Sequence, residues 1–297
     1  KYISLKKTGP YDFKRHIKPI LTFFMMSASI SIYTNLDKVM LGFMKTNTDV
    51  GYYDASVKIK TILVGVVNSL GTVLLPRMSF YVEKGEKEAF QRTVTKAFRF
   101  VIVLASSLMI FFIIFARESI LAISGNEFLP AVIPMQLLMI TLLLIGLSNL
   151  TGIQILTPMG KENIVLVSIV CGAVADFILN LILIPKYASA GAAFATVVAE
   201  FLVLVVQYIY LRDLIGKMIK KVEIWKIIFA LVFASIVGIF LHISISEQHI
   251  SLVKALLILS GEAVIFFGIY GVILLLLKEP IILEIKDMGL DLIHRKK

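Results

Sequence analysis

Asp37, Lys38, Asp54 and Lys58 lie in or beside stretches oily enough to enter a membrane, and so do Asp176 and Glu200. A charge near the middle of a bilayer costs about 2.5–3.5 kcal/mol on insertion scales, so such residues face something wet or something polar. Their spacing indicates which. On a helix, Ser27, Ser31, Thr34 and Lys38 share one stripe, with Asn35 and Asp37 on its two flanks. Asp54, Lys58, Thr61, Gly65, Asn68 and Thr72 make a second stripe, while Lys60 lies off it and is expected to snorkel to the near interface. Ser168, Gly172, Asp176 and Asn180 recur one turn apart, and Ala193, Thr196, Glu200 and Gln207 share a face of the next segment. The chemistry this allows is binding in a water-filled, partly cationic cavity between helices. Asp176 and Glu200 sit near mid-segment, where acids face a bundle interior and tend to be functional. Gly65, Gly172 and Ala193 are expected to serve close helix packing. Arg77 follows Pro76 at a helix end, where a headgroup or loop contact competes with a cavity role. Glu262 is expected to have no direct role.

The elements that must position these residues are membrane spans. The chain has 297 residues, 58% of them hydrophobic, and a mean hydropathy of +0.91. A soluble domain carries about 45–50% apolar residues. Apolar blocks about 20 residues long match the hydrocarbon thickness. Eight are read: 19–44, 55–76, 98–116, 129–156, 164–184, 190–211, 225–244 and 255–277. A soluble enzyme is excluded, and so is a transmembrane barrel, whose strands alternate every second residue. The fold class is all-α, a polytopic transmembrane helix bundle. One cysteine, Cys171, and four scattered histidines give neither a disulfide framework nor a metal-ligand spacing, and no cofactor is called for.

The net charge of +10 is explained by its distribution. Lys and Arg gather in 1–18, 77–99, 212–226 and the tail, with Lys161 on the same side, and are sparse at the alternate turns, which hold only Lys45, Arg117, Lys186 and Lys254. The positive-inside rule then places both ends of the segment in the cytoplasm, with no nucleic-acid partner required. The start at Lys1 without a methionine suggests a piece of a longer protein.

Five motifs in order, "NLDKVMLG" (35–42), "VGYYDASVKI" (50–59), "LLPRMS" (74–79), "GIQILTPMGKEN" (152–163) and "LNLILIPKYASAGAAFATVVAEF" (179–201), resemble polysaccharide-transport flippases of the O-antigen (Wzx) type. These belong to the multidrug/oligosaccharidyl-lipid/polysaccharide exporter superfamily. The resemblance covers about 14–212. It implies one lobe of a MATE-like transporter with two appended helices: a basic cytoplasmic segment or interlobe linker at 1–18, a six-helix lobe at 19–212, and two further helices with a basic tail at 213–297. Asp176 stands where the family more often has asparagine, and Ala188 where a glycine is common.

What the resemblance implies is flipping of a polyprenyl-pyrophosphate-linked oligosaccharide across the cytoplasmic membrane. Its partners are that lipid-linked substrate, the membrane lipids and an N-terminal lobe of the same chain. Asp37, Lys38, Asp54, Lys58, Thr61, Asn68 and Arg77 would line the substrate cavity, the lysines meeting pyrophosphate and the neutral polar groups meeting sugar. Asp176, Asn180 and Glu200 would bind a proton or a sodium ion, while the lobes rock between two facing states. No nucleotide-binding loop is present. A drug/cation antiporter of the same superfamily shares the fold but calls for an acidic, aromatic-lined site. A membrane polymerase or ligase needs a substantial outward loop with catalytic residues, and the outward loops are about ten residues or fewer.

Overall fold

The computed structural model describes residues 13–219, 222–245 and 252–294. The first part of the basic segment 1–18 and the last three residues of the basic tail lie outside the described residues.

The lobe begins with a helical hairpin, α1 (Phe13–Met44) and α2 (Asn47–Lys84). Its turn is set by Thr46, whose hydroxyl accepts from the Asp49 amide at 3.2 Å while the Asp49 carboxylate accepts from the Thr46 amide at 3.2 Å. This reciprocal cap satisfies two amides that a helix start leaves unpaired. So short a turn brings residues eight before it opposite residues eight after it. α2 bends by 41° between Ser69 and Val73. Pro76 lies just beyond, where it cannot donate to the carbonyl one turn back.

α2 runs on through Lys84 and α3 (Lys87–Ile114) starts three residues later, around Gly85 at φ 70°. The basic stretch 77–97, read from sequence as a loop, is therefore the ends of two helices. Charged side chains on an exposed helix end lack the hydrophobic periodicity that marks a helix in sequence. A short helix α4 (Ala116–Ser124) and one 3₁₀ turn lead to α5 (Val132–Asn149), which continues as a π-helical segment, Leu150–Leu156.

α6 (Glu162–Ile219) is far too long for one crossing, about 1.5 Å per residue against a core about 30 Å thick. It folds back at Ala188, the one residue with non-helical backbone, at φ 47° and ψ −127°. The register of the two arms is visible in their contacts. A Cβ on Gly172 would lie 2.5 Å from Val203, one on Gly191 would lie 2.5 Å from the Leu183 carbonyl, and Gln207 donates to Ser168 at 3.0 Å. The arms are antiparallel neighbours, as the tight "IPKYASAG" connection predicts.

α7 (Ile224–Ile245) and α8 (Leu252–Leu276) pack on one another and on α3 and α4. Phe111, Phe115, Ile227, Ala234 and Phe266 form the shared core, and the Tyr270 hydroxyl donates to the Val103 carbonyl at 3.0 Å. A ninth helix, α9 (Pro280–His294), follows. It is tied to α3 by Lys96–Glu284 at 2.7 Å, and Glu279, just before it, lies 3.6 Å from Arg99.

All eight segments read as spans are helical. By length and composition alone, four described helices can cross a membrane, five with bent α2 counted. The fold-back at Ala188 makes two passes of one of them. No strand occurs among the described residues.

Candidate functional site

The polar residues of α1 and α2 fall into two side-chain clusters. Lys38 donates to one carboxylate oxygen of Asp54, and the Lys58 ammonium lies 3.0 Å from the other. This trio carries one net positive charge. It sits on the open side of the lobe, with the Lys58 side chain 72% exposed. Thr34, Asn35 and Thr61 are exposed beside it, Asn68 is half-buried and Arg77 is exposed further along α2. Thr34, Asn35 and Thr61 each donate to a carbonyl one turn back on their own helix. Such local bonds bring no strand or helix with them and leave the side chains accessible. Gly65 has open space beside it, so the packing expected there does not occur.

Asp37 belongs to the second cluster. It is 3% exposed and accepts hydrogen bonds from the Tyr53 hydroxyl, from Thr196 at 2.9 Å and from Asn180 Nδ2 at 2.6 Å. The same Asn180 nitrogen donates to Asp176 at 3.0 Å. Two carboxylates from different helices thus share one amide. Asp176 Oδ1 and Asn180 Oδ1 are buried without a hydrogen-bond partner among the described residues. Unpaired oxygens in so dry a place are costly unless a cation or a proton comes to them.

Sequence reading puts Asp37 with the lysines. The structure places it with Asp176 and Asn180, because neighbouring residues on a helix point about 100° apart. Glu200 was expected within reach of Asp176. In the structure Asp176 shares the Asn180 amide with Asp37, and Glu200 lines a cavity together with Asp37. That cavity, about 350 Å³, lies between α1, α2, α5 and α6, and Asp37, Lys60, Thr61, Thr196, Glu200 and Gln207 line it. Gln207 is itself fixed, accepting from Thr151 at 2.5 Å and donating to Ser168. Gly172 serves the close packing expected of it, against Val203 and the Ala199 carbonyl.

Three residues escaped the sequence reading of the site. Tyr53 could have been found, since it bears the relation to Asp37 across the two-residue turn that Asp54 bears to Lys38. Thr196 was on a recognised polar face. Lys60, read as an interface anchor, points into the lobe, and nothing in its local sequence indicates that. Among the described residues no group of three or more metal-ligating side chains occurs.

The helical hairpins, the bent α2 and the buried polar cluster are those of a multi-pass membrane protein with a transporter fold. The chain superimposes on the lipid II flippase MurJ, in its inward closed conformation, with a TM-score of 0.69 over 93% of this chain and 58% of that one. At 14% identity that likeness speaks for the fold. The family described as "Polysaccharide biosynthesis protein" matches residues 6–82, which hold the α1–α2 hairpin and its polar wall. The uncharacterized membrane protein MJ1068 of Methanocaldococcus jannaschii is 28% identical over 253 residues, 85% of this chain and 48% of that protein. The chain therefore spans about half the length of the curated relative it matches. The chain is thus similar over residues 6–82 to a polysaccharide biosynthesis family and, over nearly its whole length, similar in fold to a flippase.

Proposed function

We propose that the protein flips a polyprenyl-pyrophosphate-linked oligosaccharide across the cytoplasmic membrane for export of surface polysaccharide, coupled to an ion gradient. The observation that supports this most is the open wall of α1 and α2. It offers two ammonium groups around one carboxylate, a surplus of positive charge for an anionic headgroup. Thr34, Asn35, Thr61 and Asn68 alongside supply hydroxyl and amide groups for sugar. A second lobe of the same protein closes the cavity over this wall, and the polyprenyl tail stays among the membrane lipids. The Asp37–Asp176–Asn180 cluster, with Glu200 in front, is the coupling site, and its orphaned oxygens take a sodium ion or a proton. Alternating access follows from rocking of the two lobes.

The test is Lys58→Ala in the intact protein. Loss of surface polysaccharide at an unchanged level of protein in the membrane is the expected result. Normal polysaccharide would reduce the wall to a packing surface.

A further inference from the structure

Lys60 is a charged residue of the lobe interior that neither the anion-binding wall nor the carboxylate cluster employs. It lies two residues beyond Lys58 on α2, an offset of about 200° that turns it away from Lys58. It enters the cavity where Asp37, Thr196 and Glu200 also meet. Lys60 thus shares one cavity with Asp37 and Glu200, and Asp176 adjoins it through the Asn180 amide that it shares with Asp37. A cationic side chain within reach of several carboxylates lowers the cost of their charge inside a membrane. A lysine is a compact point charge on a flexible four-carbon stem, so it can serve either Glu200 or the Asp37–Asp176 pair. A free cation seated at the orphaned oxygens of Asp176 and Asn180 repels it from the pair.

We propose that Lys60 is a tethered counter-cation, which attends the Asp37–Asp176 carboxylates when no free cation is bound and retreats to Glu200 when one is. The inference rests on the reading of that cluster as the coupling site. It adds a specificity-determining residue: the free cation must displace an ammonium group already in place. Cation affinity is then set by competition, and the two states of the lobe differ in where a positive charge sits.

Sodium is the probe. The thermal midpoint of the intact, purified protein is followed against Na⁺ concentration, with choline holding the ionic strength constant, since a ligand of the folded state raises the midpoint by mass action. Lys60→Met keeps most of the stem and removes the competitor, so the half-saturating Na⁺ concentration falls by about fivefold or more. Lys60→Gln, measured alongside in case Lys60→Met does not fold, behaves likewise. Lys60→Arg retains the charge and stays within about twofold of wild type. Asp37→Asn abolishes the response with or without Lys60. A wild type that ignores Na⁺ beside a Lys60→Met variant that responds also supports the proposal, because the lysine then already fills the site. An unchanged or weaker response in both Lys60→Met and Lys60→Gln, with the wild type responding, overturns the role of Lys60 and leaves the coupling site standing. No response in wild type or variants overturns both.

Discussion

Asp37 gathers four elements around one carboxylate: Tyr53 from α2, Thr196 and Asn180 from the two arms of α6, and its own helix α1. Removing a partner of a buried charged acceptor costs the bond and leaves the acceptor short, about 1–3 kcal/mol. Tyr53→Phe should therefore lower the stability of the solubilised protein by about that amount, read as a lower thermal midpoint with the fold unchanged by circular dichroism. Asp176→Asn should behave differently. Its new amide can donate to the orphaned Asn180 Oδ1 while its carbonyl still accepts from Asn180 Nδ2. The variant should be at least as stable as wild type, yet the flipping proposed above, measured in vesicles of the intact protein, should not depend on an imposed proton or sodium gradient. Full gradient dependence in Asp176→Asn would remove Asp176 from the coupling site.

Among the elements, the α6 hairpin carries the sharpest constraints. Ala188 occupies φ 47°, ψ −127°, close to the first central position of a type II′ turn, which glycine fills without steric cost. An alanine held there stores about 1–3 kcal/mol of strain. Ala188→Gly should raise stability by about 1 kcal/mol, and an unchanged or lower thermal midpoint would count against the turn geometry. Gly172 shows the reverse case. A methyl there would press on Val203 and on the Ala199 carbonyl at 3.2 Å. Gly172→Ala should cost about 1–3 kcal/mol by overpacking. Val203→Ala in the same chain should recover part of the loss, because the two residues share one contact and their effects are then not additive.

For the molecule as a whole, α3 separates the Gly85 turn from the Ser124 end of α4, and at 28 residues it is long enough to cross the bilayer. The skewed distribution of Lys and Arg predicts that the Gly85 turn faces the cytoplasm. With Cys171 first replaced by serine, a cysteine at Ser124 should react with an impermeant reagent applied outside intact cells, and one at Lys87 should react only after permeabilisation. The opposite pattern would invert the topology. Ser246, the matching outside position between α7 and α8, lies outside the described residues. α7 and α8 are joined to the lobe through α3 and α4, and α9 is tied to α3 by an ion pair, so movement of the appended helices is coupled first to α3.

The sequence by itself determined that this is an all-α membrane protein and where its apolar helices lie. Hydropathy over about 20 residues and the one-turn recurrence of polar side chains are local properties, and the bilayer reads them directly. It also determined that α6 must turn back, because "IPKYASAG" places a proline and small residues in the middle of a stretch too long to cross once. Only the tertiary structure decided that adjacent Asp37 and Lys38 join different side-chain clusters, that Asp37 and Asp176 share an amide donor, and that Lys60 lines a cavity of the lobe. Periodicity assigns a residue to a face of its own helix. Which neighbour that face meets depends on how the α1–α2 hairpin is rotated against the arms of α6, and that rotation is set by contacts far apart in the chain, such as Asp37 with Asn180 and Thr196.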